Sequence, residues 1–208
     1  MSTSASAAGR ARTYHHGALR PALVAEALRL LADGDPASLS LRELSRRLGV
    51  SPAAPYRHFA DKGALLAAIA QQGFEVLNAE LDAAAAAHPD EPLRRLADIG
   101  WVYVRFALDQ PQYFQLMFGR DVTPQVSHPE LLAAGQSAFG ILLRVIEGGQ
   151  RVGQIAPGDP GELAITAWAQ VHGLATLLLE GQLPVQDNTE CEALVRRSLR
   201  IQEAGLRR

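Results

Sequence analysis

LRELSRRLGVSPAAPYRHFADKGALL, Leu41 to Leu66, is the stretch whose reading decides the fold. Leu41, Leu44 and Leu48 recur at helical spacing, and Gly49 closes the segment. Ser40 stands where a helix N-cap is wanted, with Glu43 three residues on as a capping-box partner. Ser51 followed by Pro52 restarts the chain as a second short helix, the serine capping and the proline at the first helical position, ending near Phe59. Two short amphipathic helices joined by a glycine-containing turn of about three residues have helix-turn-helix spacing. Leu41, Leu44, Leu48 and Val50 pack the first helix and the turn inward. The second helix is then free to enter a DNA major groove with its N-terminal residues at base edges.

The residue types fit that task. Ala53 and Ala54 allow close approach and offer methyl contact to thymine. Tyr56, Arg57, His58 and Lys62 carry a hydroxyl, a guanidinium, an imidazole and an ammonium group, which suit phosphate oxygens and position a protein without reading sequence. Lys62 is the only lysine among twenty basic residues, and it sits at a helix N-terminus, where backbone N–H groups favour an anion. Simpler roles compete: Tyr56 and Phe59 as core aromatics, and Arg46 with Arg47 as a solvated face. His15 and His16 have no acidic or thiol partner nearby, which favours an arm touching DNA over a metal site.

Outward from this stretch the pattern stays helical. A first helix is expected from near Ala18 to Ala32, with Leu19, Leu23, Ala27, Leu30 and Leu31 on one face and Gly34-Asp35-Pro36 ending it. Asp61 caps a long helix through Leu65, Ile69, Phe74, Leu77 and Leu81 that includes the Ala83–Ala87 run, alanine being the best helix former. Beyond Pro92, helices are expected at about 93–109, 111–118, 127–151, 159–181 and 188–206, between Pro/Gly/Asp-containing breaks. Alternating β-branched runs are missing, so the fold class is all-α, with about nine helices.

Charge is segregated along the chain. Up to Lys62 there are nine Lys/Arg against five Asp/Glu, a net +4; the whole chain carries −2, so the remainder carries −6. A basic head on an acidic body fits a DNA-reading domain attached to a different one. At 48% hydrophobic and 20% charged residues the chain is globular rather than disordered. No uninterrupted run of about 18 apolar residues occurs, so no membrane span is expected. Met1 to Gly9 has no basic flank followed by an apolar stretch, so a cytoplasmic protein is expected. The single cysteine, Cys191, rules out an internal disulfide or a cysteine-rich metal site and reads as a packing residue. With no Ser/His/Asp arrangement, phosphate loop or metal-spaced ligand set in the C-terminal half, no enzyme, metal or cofactor is expected.

The C-terminal half carries two aromatic clusters. Trp101, Tyr103, Phe106, Tyr113, Phe114, Met117 and Phe118 fall in two neighbouring helices. Trp101, Phe106, Phe114, Met117 and Phe118 either wall an apolar pocket or fill a solid core. In WAQVHG, Trp168 and His172 share a helix face at i, i+4; His172 either donates to a ligand or is satisfied in the core.

SPAAPYRHFADKGALL resembles the third helix and start of the fourth in TetR/AcrR transcriptional regulators, and YHHGALRPALVAEALRLLADGDPASLSLRELSRRLGV resembles their first two helices. The likeness covers roughly residues 14 to 70. It implies an arm over residues 1–13, a helix-turn-helix domain over 14–62 and a ligand-sensing, dimerising domain over 63–208. It further implies phosphate contacts from Ser40, Tyr56, His58 and Lys62, and base readers around Arg42, Ser51, Ala53 and Ala54. Two positions depart from the pattern: Pro55 replaces an aliphatic residue, and Ala18 replaces a polar one. Trp168, His172 and Gly173 resemble a Trp-His-Gly signature of one C-terminal subclass, which places Trp168 and His172 in a ligand pocket. The family's habit also implies a repressor that dimerises through its last two helices on a pseudo-palindromic operator and answers a small apolar effector. Leu163, Ala167, Leu174, Leu177, Leu178, Leu194, Val195, Leu199 and Ile201 would supply the dimer's apolar area. The alternative is a regulator whose C-terminal domain only dimerises or meets a protein partner.

Overall fold

The computed structural model describes residues 18–33, 39–119, 122, 128–185 and 187–206. The expected arm over residues 1–13, His15, His16 and the Gly34–Pro36 stop lie outside them. The chain divides into two units, one ending at Lys62 and the other beginning at Gly63. Among the described residues there are eight α-helices, one 3₁₀ turn and no strand. The fold is all-α, as the periodicity requires.

In the first unit, α1 (Leu19–Asp33) packs on α2 (Leu41–Leu48), and both pack on the 3₁₀ turn Pro55–Arg57. Leu23, Ala27 and Leu44 are fully buried, with Leu41 and Phe59 almost so. A leucine removed from water to that extent contributes about 1.5–3 kcal/mol. The polar features hold the register. Ser40 Oγ accepts the Glu43 N–H at 3.1 Å, so the predicted N-cap forms. The Glu43 carboxylate turns instead to Arg46 and Arg47, at 2.6 and 2.7 Å. Gly49 ends α2 at φ +66°, donating to the carbonyls of Arg46 and Ser45. An L residue rarely adopts that backbone, and the turn depends on it.

The segment after Gly49 departs from expectation. Ser51 and Pro52 do not open an α-helix: the chain makes a turn and then one 3₁₀ turn, through Ala54 N–H to Ser51 O, Arg57 N–H to Ala54 O and His58 N–H to Pro55 O. The cause is Pro55, which has no N–H to return to Ser51 O, so a tighter i+3 pattern takes over. Pro55 is itself buried. It thus keeps an apolar core position while removing a backbone donor.

The second unit takes up α3 (Lys62–Ala87) from Gly63 on, and α4 (Pro92–Asp109), α5 (Pro111–Phe118), α6 (Pro129–Arg151), α7 (Pro160–Leu179) and α8 (Asn188–Leu206) follow in order. Four of them open on proline, whose missing N–H is one the first helical turn cannot use. Asp159 caps α7, its Oδ1 accepting from Gly161 and Glu162 N–H at 2.7 and 3.1 Å. The hub is α4, which packs on α5, α6, α7 and α8. Its Val104, Phe106 and Ala107 are buried, as are Ile141 and Ile146 of α6 and Val195 of α8. Cys191 is also buried, and burial pushes its thiol pKa up, in keeping with a packing role. Although no unbroken apolar run occurs, α6 and α7 are long and apolar enough on average to meet the length and composition of a membrane span. Both pack on α4 and on each other, and both carry polar or charged residues along their length, such as Arg144 and Glu147 on α6 and Gln170 and His172 on α7.

Candidate nucleic-acid interface and ligand cavity

In the first unit, Ser40, Arg42, Ser51, Ala53, Tyr56 and Arg57 are exposed, while Ala54, His58 and Lys62 are half-buried. Tyr56 is 50% exposed, which sets aside its core reading; Phe59 is 3% exposed and takes that role, with the Arg20 guanidinium 5.2 Å from its ring centroid. Arg46 and Arg47 are committed elsewhere. Both grip Glu43, and Arg47 also reaches Glu26 of α1 at 3.5 Å, so this pair staples α2 to itself and to α1. Hydrogen bonds from Arg46 and Arg47 hold the Glu43 carboxyl down at about 2. Arg42 and Arg57 have no ion-pair partner among the described residues, so their charge is available to an external anion. Ser40 uses one Oγ lone pair on the cap, and its hydroxyl hydrogen can still be donated.

The second unit encloses a cavity of about 360 Å³ between α3, α4, α6 and α7, closed at one side by Leu199 of α8. On α6 its wall is the stripe Leu132, Gly135, Gln136, Phe139 and Leu142, at helical spacing. Gly135 leaves open the space in front of Phe74; a Cβ there would stand 3.5 Å from the ring, in ordinary contact. From α3 come Phe74, Leu77 and Leu81, and from α4 Leu96, Ile99 and Tyr103.

Of the seven residues expected to form a pocket, Phe118 and Trp168 stand on the cavity wall. Phe106, Phe114 and Met117 are buried side chains away from it, packing the helices that frame it. Trp101 lies outside as well, with the Arg196 guanidinium 5.9 Å from its ring centroid. His172 stands behind the wall: its Nδ1 lies 2.9 Å from the Tyr103 hydroxyl oxygen, which accepts the Trp168 indole N–H at 3.1 Å; with that oxygen already accepting, the hydroxyl hydrogen is left to be donated to Nδ1 of the tautomer protonated at Nε2. Burial lowers the His172 pKa, favouring the neutral ring whose Nδ1 can accept, and raises the Tyr103 pKa, keeping its hydroxyl protonated. Phe118 packs edge-on to His172 at 4.9 Å, and Phe114 stacks on it at 5.4 Å. Trp168 and His172 thus meet through a tyrosine from another helix. The sequence reading missed Tyr103, Phe74, Phe139 and Gln136 as wall residues; the α6 stripe, with a glycine and one amide amid apolar side chains, is the signal that could have found them.

The comparisons with known proteins agree with this architecture. Residues 23–69 match the family described as bacterial regulatory proteins, tetR family, and residues 96–201 match the tetracyclin repressor-like C-terminal domain. A solved Rhodococcus sp. RHA1 protein of unknown function is 35% identical over 95% of this chain and 100% of its own, with a TM-score of 0.83. A tetR-family regulatory protein from Rhodococcus RHA1 is 21% identical, covering 90% of this chain and 96% of its own, with a TM-score of 0.72. The fatty acid degradation regulator FadR from Bacillus halodurans shares the fold at 11% identity, TM-score 0.74, over 91% of this chain and 97% of its own. No curated protein matches the chain. The chain belongs to the tetR family: it is a DNA-binding transcriptional regulator with an N-terminal helix-turn-helix domain and a helical C-terminal domain.

Proposed function

We propose that this regulator is a ligand-responsive repressor that binds a pseudo-palindromic operator as a homodimer in the cytoplasm, without a cofactor and without enzymatic activity. The DNA contacts are assigned to Ser40, Tyr56, Arg57, His58 and Lys62 for phosphates and to Arg42, Ser51, Ala53 and Ala54 for bases. The observation that carries this is the exposure of Arg42, Ser51, Ala53, Tyr56 and Arg57 around the Gly49 turn, with Arg42 and Arg57 unpaired among the described residues. A 3₁₀ turn presents fewer side chains to a groove than a full helix, so phosphate contacts carry a large share of the affinity.

The sensing role rests on the cavity, whose volume and apolar lining suit a small apolar effector. A cavity of this kind favours sensing over a C-terminal domain that only dimerises or meets a protein partner. Kinship to the Trp-His-Gly subclass is supported by the Trp168–Tyr103–His172 hydrogen-bond chain. Dimerisation through α7 and α8 is supported by exposed Ile165, Leu177 and Ile201. Ala167, Val195 and Leu199, expected in that interface, are instead buried within the protomer, which leaves Leu163, Leu174, Leu178 and Leu194 to join the exposed three. Signalling would run through α3, which begins at Lys62 and carries Phe74, Leu77 and Leu81 on the cavity wall. An effector pressing on those residues changes the spacing of the two DNA-reading units, and a coupling of about 1–3 kcal/mol would be ordinary.

Fluorescence anisotropy with DNA from upstream of the protein's own gene, at two salt concentrations against a scrambled duplex, tests the reading. Selective, salt-sensitive binding is expected. Equal weak binding to both duplexes, repeated with operators selected from a random pool, would overturn it.

A further inference from the structure

We propose that the occupant of the α3–α4–α6–α7 cavity is an uncharged, hydrocarbon-rich small molecule that enters beside Gln136 and Trp168 and leaves its one polar group at the Gln136 amide. The inference rests on the sensing role above and names the chemistry of its ligand.

Among the described residues, no Asp, Glu, Lys, Arg or His lines the cavity. Of the described wall residues, only Tyr103, Trp168 and Gln136 bring polar side-chain atoms to it. Two of the three are committed to each other. The Trp168 N–H goes to the Tyr103 oxygen, and the Tyr103 hydroxyl goes to His172 Nδ1. The walls are otherwise helix, whose backbone donors and acceptors are used internally. Gln136 remains: it is exposed, makes no hydrogen bond to another described residue, and stands on α6 one turn before Phe139, whose ring meets the partly exposed Trp168 of α7 edge-on. Gln136 and Trp168 mark the mouth, and an amide can both donate to and accept from an alcohol, ester, ketone or amide.

A carboxylate or an ammonium group finds no counter-ion among the described wall residues. Placed inside, it loses its hydration with nothing to replace it. Placed at the mouth, it meets a neutral amide. The volume of about 360 Å³ equals roughly a dozen waters at about 30 Å³ each, enough for one compact molecule. The rings of Phe74, Phe118 and Phe139 around it reward hydrocarbon surface.

The test uses the full chain with Trp101→Phe, so that Trp168 is the only tryptophan and reports on the wall by its fluorescence. Decanol and decanoate, matched in length and differing in charge, are titrated at pH 7.5 below the concentrations at which either aggregates. Decanol is expected to shift the Trp168 emission saturably, with decanoate binding at least tenfold more weakly, equivalent to about 1.4 kcal/mol. Gln136→Lys should narrow that ratio by strengthening decanoate. Gly135→Ala and Leu142→Phe, which take up cavity space, should weaken decanol. Decanoate binding as tightly as decanol would overturn the charge exclusion while leaving the sensing role standing. If neither compound moves the emission, or if decanol ignores both space-filling variants, the cavity is not the site and both readings fall.

Discussion

The two units place their functional groups in opposite ways. In the first, the groups assigned to DNA stand on the outside of a small core, and the structure's work is to hold a tight turn that projects them. In the second, the feature to which we assign a function is a space, and the structure's work is to keep it from collapsing. A surface of projected side chains depends on caps and turn geometry, whereas a cavity depends on what the walls leave out. The same kind of substitution should therefore act differently in the two units.

The largest effect is expected from the core of the first unit. Leu44 is fully buried where α2 meets α1, and Leu44→Ala should cost about 2–5 kcal/mol. Because the two units are separately compact, DNA binding should be lost at a temperature where the helical signal of α4 to α8 persists. A single, unchanged melting transition would show that the units do not separate in stability.

Next come the proposed phosphate contacts. Tyr56→Phe removes a hydroxyl from a half-exposed ring, so folding should be untouched while affinity for all duplexes falls by about 1.5–3 kcal/mol, the worth of a hydrogen bond to a charged group. Lys62→Ala should lower the slope of log K against log salt by about one. Anisotropy at several salt concentrations checks both; a loss confined to one duplex sequence would assign Tyr56 to base reading instead.

Two glycines give the contrast its sharpest form. Gly49 sits at φ +66° with open space around a hypothetical Cβ, so Gly49→Ala carries only conformational strain, about 1–2 kcal/mol, and should loosen the DNA-reading turn. Gly135 lies inside α6 in ordinary helical conformation, with the Phe74 ring at contact distance. Gly135→Ala should stabilise the helix by up to about 1 kcal/mol through propensity while removing cavity volume. Thermal melts of the two variants should move in opposite directions, and a destabilised Gly135→Ala would mean that the cavity wall is already tightly packed.

The difference between the units also governs what can be read from letters alone. Ser40, Gly49 and the leucine spacing of α2 are local signals, each satisfied within a few residues, and the helix over Leu41–Leu48 is where they put it. Pro55 was legible as an oddity, but its outcome depended on a competition between lost backbone bonding and core burial that the sequence does not rank. The cavity was harder. Phe106, Phe114 and Phe118 look alike in the sequence, yet which aromatic packs and which stands on a wall depends on how α4 and α5 are set against α6 and α7. Tyr103 joins Trp168 and His172 across more than sixty residues of chain, at 2.9 and 3.1 Å, a juxtaposition no local pattern encodes.

The smallest expected effect tests whether that trio is part of the cavity's upkeep. Burial holds the His172 pKa below its ordinary 6.5, so the unfolded chain takes up a proton there before the folded one does. The stability that His172 contributes is therefore complete above pH 6.5 and drains away as pH falls through the lowered folded value. Protonation turns Nδ1 from an acceptor into a donor, so the Tyr103 hydroxyl loses its acceptor and must reorient, which also disturbs the bond from Trp168. The second unit should thus melt earlier at pH 5.5 than at pH 7.5, and the gap should shrink in His172→Gln, which cannot take up that proton. Trp168 emission should shift over the same pH range in the Trp101→Phe chain. A pH dependence identical in His172→Gln would assign the loss to other groups and leave the trio a packing arrangement, as static as the salt-bridged face of α2 is expected to be at the same pH, where Glu43 stays ionised down to about 2.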